Sequence, residues 1–97
     1  MITTKQRAFL RALANKKTAS FQIGKGGVTP EVVKAVDEYL EANELVKISV
    51  LENCDETVKE TAEILSGRTR SDVVQVVGRK IVLFRVSKTK SVVELPK

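Results

Sequence analysis

The chain has 97 residues, 42% of them apolar, with 17 Lys and Arg against 12 Asp and Glu for a net charge of +5. That length builds one domain around one modest core, ample for a binding module and too small for a two-lobed enzyme cleft. With no histidine and a single cysteine, Cys54, an internal disulfide, His/Cys zinc sites and histidine-dependent catalytic triads are excluded, so neither a metal, a cofactor nor an enzymatic activity is expected.

Thr3 followed by Gln6 reads as a capping box that opens a helix running to about Lys16. Its spacing places Phe9, Ala12 and Leu13 on the buried side and sets Arg7 and Arg11, one turn apart, on the exposed one. Residues 20–23 form a short strand that leads into Gly24-Lys25-Gly26-Gly27. Thr29 is a suitable N-cap and Pro30 a suitable first residue for a second helix to about Ala42, burying Val32, Val33, Val36, Tyr39 and Leu40. Leu45 to Leu51 alternates as a strand with Val46, Ile48 and Val50 on one face. Asn53 or Asp55 caps a third helix whose Val58, Ala62 and Leu65 keep helical spacing until Gly67 ends or loosens it. Val73 to Val77 and Ile81 to Val86 then pair as a hairpin around Gly78-Arg79. The order α-β-α-β-α-β-β implies a compact α/β domain over residues 1–88, with three helices on a mixed four-stranded sheet. Residues 89–97 form a polar tail whose order is left open.

The charges are segregated along the chain. Residues 1–28 carry six basic side chains, including Lys5, Arg7, Arg11 and Lys25, and no acid; residues 29–66 carry three basic and ten acidic; residues 67–97 return to eight basic and two acidic. Taken singly, each lysine or arginine is an ordinary solvated surface charge. As a set, cations from both chain ends make one positive face that contains the glycine loop, and a polyanion is the partner this fits. Asp37, Glu38, Glu41 and Glu44 on the second helix, with Glu56, Glu60 and Glu63 on the third, read as solvated faces turned away from it. Arg79 and Lys80 stand at the hairpin tip, while Arg85 projects either across the open sheet face or toward a carboxylate.

Gly24 and Gly27 bracket a Gly-x-x-Gly loop whose bare backbone lets a sugar-phosphate chain approach, beside helix amides that suit an anion. Lys25 adds a mobile charge. The spacing matches neither a Walker loop nor a dinucleotide fingerprint. The bland alternative is a simple strand-to-helix connection. The N-terminus lacks an apolar signal-like segment and no apolar run approaches membrane length, so a soluble cytoplasmic protein without membrane contact is expected.

Four motifs carry a resemblance: Thr4-Lys5-Gln6-Arg7-Ala8-Phe9-Leu10-Arg11, Gln22-Ile23-Gly24-Lys25-Gly26-Gly27, Ala42-Asn43-Glu44-Leu45-Val46-Lys47, and Val74-Gln75-Val76-Val77-Gly78-Arg79-Lys80-Ile81-Val82-Leu83. Occurring in this order from residue 2 to about 88, they resemble the YhbY-like proteins, single-domain bacterial members of the chloroplast RNA splicing and ribosome maturation (CRM) family. The resemblance implies an RNA-binding domain similar in shape to the C-terminal domain of initiation factor 3, acting on ribosomal RNA in large-subunit precursors. It implies RNA contact at the glycine loop and the basic first helix; together with the hairpin tip, the expected RNA-binding residues are Lys5, Arg7, Arg11, Gly24, Lys25, Gly26, Gly27, Arg79 and Lys80, in a protein expected to be a monomer. Where many relatives carry histidines this chain has Asn15-Lys16-Lys17, and Phe84 stands where many have tyrosine. With aromatic content of 4%, recognition is expected to rest on shape and phosphate rather than on stacked bases. A module docking on a ribosomal protein through Glu38, Glu41, Glu60 and Glu63 is the rival expectation.

Overall fold

The computed structural model describes residues 2–89, 93, 95 and 96. Thr3 accepts from the Gln6 backbone and Gln6 returns a bond to the Thr3 backbone, which starts α1 (Thr4–Asn15). There follow β1 (Phe21–Ile23), α2 (Pro30–Asn43), β2 (Leu45–Val50), α3 (Val58–Thr69), β3 (Asp72–Val77) and β4 (Lys80–Phe84). The expected element order and mixed sheet are borne out. The strands lie in the order β1-β2-β4-β3, with β1 and β2 parallel and both other pairings antiparallel.

Alternation along the central strands divides the core between the two faces of the sheet. On one face Val46, Ile48, Val50, Ile81 and Leu83 pack with Val36 and Leu40 of α2 and with Ala62 and Leu65 of α3. On the other, Leu45, Val74, Val82 and Phe84 pack with Leu10 and Ala14 of α1. The β1 and β2 C-termini, the α2 and α3 N-termini and the β3–β4 turn gather at one end of the sheet, called here the upper end.

Several local expectations are corrected. The buried stripe of α1 is Leu10 and Ala14, with Leu13 half-buried; Ala12 is exposed and Phe9 is 37% exposed. Helix α3 is capped by Thr57, not by Asn53 or Asp55, because Thr57 and Glu60 complete a reciprocal capping box. It also runs through Gly67 to Thr69 and ends at Arg70 in the left-handed conformation. Gly78-Arg79 is the expected two-residue turn, with Val77 facing Lys80 across it and Gly78 at φ +57.

Among the described residues no helix is long and apolar enough to cross a membrane. The start of the tail is held to α2. Glu41 Oε2 accepts from the Ser87 and Thr89 hydroxyls and from the Lys88 and Thr89 backbone, while buried Glu44 accepts from the Ser87 and Val93 amides. Val93 and Leu95 reach the α1 side of the core. Lys90, Ser91, Val92, Glu94 and Lys97 lie outside the described residues.

Candidate nucleic-acid interface

The glycine loop is a tight turn closed by the Gly27 amide donating to Gly24 O at 3.0 Å. Gly26, third in the turn, takes φ +99 and Gly27 takes φ +62, both positions that favour glycine. Lys25 and Gly26 form an exposed tip, and a Cβ on Gly26 would meet open space.

Gly27 differs, because it is buried beneath Glu56. A Cβ there would lie 2.7 Å from Glu56 Cδ, closer than real Cβ contacts come. Glu56 Oε1 also accepts from the Val28 amide at 3.2 Å. The anion position next to the α2 N-terminus is therefore filled by the chain's own carboxylate, and Thr29 Oγ1 takes the Val32 amide at 3.2 Å. The Val28 and Val32 amides are thus already bonded within the chain and are not open to an external phosphate. Sequence reading took Glu56 for part of a solvated face; the signal lay in its position one residue before the α3 cap.

Leu51 joins the loop to the hairpin. Its amide donates to Ile23 O at 2.8 Å, its side chain lies 3.3 Å from the Cβ position of Gly24, and its carbonyl accepts from Arg79 Nη2 at 2.6 Å. Arg79 Nε also donates to Val50 O at 2.7 Å. The Arg79 guanidinium is thus fixed on the end of β2 beside the glycine turn. Asn53, read from the sequence as a candidate cap of α3, is instead the other neighbour of Gly24, its Oδ1 3.2 Å from the Cβ position.

Lys80 donates to Ser49 Oγ at 2.9 Å on the face that α1 only partly covers. Gln22 and Lys80 on that face are exposed, continuing a polar surface down from the glycine turn beside the exposed apolar Val77. Lys5 and Arg11 are exposed on α1. Arg7 is not: it is half-buried, and its Nη1 donates to Val73 O and to Val74 O. The structure therefore brings Gly24, Lys25, Gly26, Arg79 and Lys80 together at the upper end and leaves Arg7 as an internal tie. Among the described residues Lys5, Arg11, Lys25, Arg79 and Lys80 make no ion pair with a carboxylate.

The acidic helices are less free than expected. Asp37 and Glu41 pair with Arg85, which also donates to Thr69 O at 2.7 Å, so Arg85 points to carboxylates rather than across the open face. The Thr89 and Ser87 hydroxyls and the Lys88 amide lower the Glu41 pKa from 4.5 to about 2. Hydrogen bonds from Thr57 likewise lower that of Glu60. No group of His, Cys, Asp and Glu able to hold a metal occurs among the described residues.

Comparison with known proteins agrees with this architecture. The chain is 48% identical over 96 residues to the Probable RNA-binding protein YqeI of Bacillus subtilis (strain 168), covering 99% of this chain and 100% of that one. An RNA-binding protein of Haemophilus influenzae is 29% identical over 96 residues, covering 99% and 96% of the two chains. The solution structure of a hypothetical protein from Staphylococcus aureus superposes with a TM-score of 0.82 at 48% identity, covering 99% of this chain and 100% of that chain. Residues 2–85 match the CRS1 / YhbY (CRM) domain, and the chain belongs to that family.

Proposed function

We propose that this protein binds RNA as a monomer through the upper end of its sheet, gripping the sugar-phosphate backbone. The observation that carries this reading is the glycine turn, whose exposed Lys25-Gly26 tip stands beside the fixed Arg79 guanidinium, with no carboxylate paired to either cation among the described residues. Lys80 and the uncovered polar part of the α1 face extend the track, and Arg11 and Lys5 border it. Because Glu56 fills the anion position at Val28, phosphate contact falls on the tip and on Arg79 rather than on the α2 amides. The names of the relatives support RNA as the partner. The family resemblance extends the proposal to ribosomal RNA in precursors of the large subunit.

Two measurements test it. Lys25→Ala is expected to weaken binding of a structured ribosomal RNA fragment and to flatten the dependence of log K on log salt by roughly 0.7–0.9. Unchanged affinity and slope in that variant would reject the turn as the contact. Crosslinking in cells followed by sequencing of the attached RNA identifies the target, and fragments with no enrichment in large-subunit rRNA would remove the ribosomal part of the proposal. Docking on a ribosomal protein through the acidic helices is disfavoured, because Glu41 is committed to the tail and Glu60 to its cap.

A further inference from the structure

At the lower end of the sheet, where α3 stops and β4 leaves its last pair, lies a depression of about 400 Å³ lined by Arg68, Arg70, Arg85, Val86 and Lys88. Asp37, also on its wall, and Glu41 pair with Arg85. Three cations remain. Arg68, Arg70 and Lys88 are exposed, and their side chains make no ion pair or hydrogen bond with the described residues. Arg70 occupies the left-handed C-cap position of α3 at φ 57, where glycine or asparagine sits without strain. Arg70 thereby sets a cation at the lip, in a left-handed cap conformation that Glu44 shares at the end of α2. The carbonyls that end α3 would repel an anion, but Arg85 covers Thr69 O, and the Arg70 and Ser71 amides cover Ser66 O.

We infer that this depression is a second RNA-backbone site, and that it holds a segment separate from the one gripped at the glycine turn. The inference rests on the RNA-binding reading above. Arg79 and Arg85 stand just before and just after β4, six residue steps apart and thus about 20 Å from each other. The helix layer between the two ends is net negative, presenting exposed Glu31, Glu38, Glu60 and Glu63 against exposed Lys34 and Lys59. A single strand crossing that layer would meet like charge, so the two cationic ends serve two segments and the domain bridges them.

The test is a stoichiometry titration of the full chain with a short fluorescein-labelled RNA hairpin, read by native mass spectrometry and anisotropy. Two hairpins per chain are expected. Arg68→Glu combined with Arg70→Gly, the latter relieving the backbone, should leave one hairpin whose salt slope is unchanged. Lys88→Glu alone should weaken only the second event and reduce its slope by roughly 0.7–0.9. Lys25→Glu should remove the other hairpin and spare this one. One hairpin per wild-type chain, with affinity indifferent to Arg68→Glu and Lys88→Glu, would overturn the second site while leaving the glycine turn standing. A polyglutamate peptide that occupies the depression where the hairpin does not would overturn it as well. A wild-type chain that binds no hairpin would bring down the RNA reading itself.

Discussion

Gly27 and Glu56 act as one unit: the missing side chain of the first makes room for the carboxylate of the second, which takes the Val28 amide. Gly27→Ala therefore costs the strain of a left-handed alanine and also expels Glu56, whereas Gly26→Ala meets only the strain, since its Cβ points to open space. Urea unfolding should show Gly27→Ala to be the more destabilising by about 1–3 kcal/mol, the size of a displaced, partly buried hydrogen bond to a charged group. That excess should vanish in a Glu56→Ala background. The carboxylate also opposes an incoming phosphate. A unit charge about 4 Å away in water is worth about 1 kcal/mol, so Glu56→Gln should tighten RNA binding roughly fivefold at low salt, measured by anisotropy. Weaker binding in that variant would mean that Glu56 serves only to shape the turn.

Among the elements, α1 shows most clearly how tertiary demand overrides an apolar pattern. Strand β3 is bulged, its register against β4 slipping between Val73 and Gln75, and Arg7 bonds the carbonyls of Val73 and Val74 there. Turning Arg7 inward with Leu10 and Ala14 rotates Phe9 and Ala12 outward, although both are more apolar than Arg7. At the other end of α1, Lys47 of β2 donates to Lys17 O at 3.2 Å and to Ala14 O at 3.3 Å, the latter already accepting from the Lys17 amide, so a strand lysine ties the segment that leaves the helix to the sheet. Arg7→Ala is expected to lower stability by about 1–3 kcal/mol because it strands two carbonyls at the bulge. Arg11→Ala, a change on the exposed surface, should shift stability by less than about 0.5 kcal/mol. Denaturant melts of the pair separate the tie from the surface charge.

For the molecule as a whole, the acidic middle of the chain is an internal counterpart to its basic ends as well as a solvated surface. Asp37 and Glu41 hold Arg85, Glu41 holds residues 87–89, and Glu44 holds Ser87 and Val93. The folded Glu41 value of about 2 lies below its ordinary 4.5. Its contribution is therefore complete above about pH 4.5 and is lost as pH falls toward about 2. Amide signals of Lys88 and Thr89 should move with a midpoint near pH 2 in an NMR titration of the folded protein and stay fixed there in Glu41→Gln. Among the described residues, cations without acidic partners cluster at both ends of the sheet, at Lys25, Arg79 and Lys80 and at Arg68, Arg70 and Lys88, while Lys5 and Arg11 lie exposed along α1.

Periodicity, caps and turn glycines determined the element order, the mixed sheet, the Gly78-Arg79 turn and the glycine loop, because each depends on residues within a few positions of one another. The family was legible for the same reason, its motifs being contiguous runs. What the sequence did not reveal involves partners dozens of residues apart. Arg7 meets β3 across the sheet, Glu56 fills the anion position made by Gly27 and Val28, and Glu41 and Glu44 anchor the tail. In each of these contacts a long charged side chain has several polar groups within reach, and only the packing of helices on the sheet selects one, since a buried carbonyl or amide left unbonded costs more than rotating a helix or spending a surface charge.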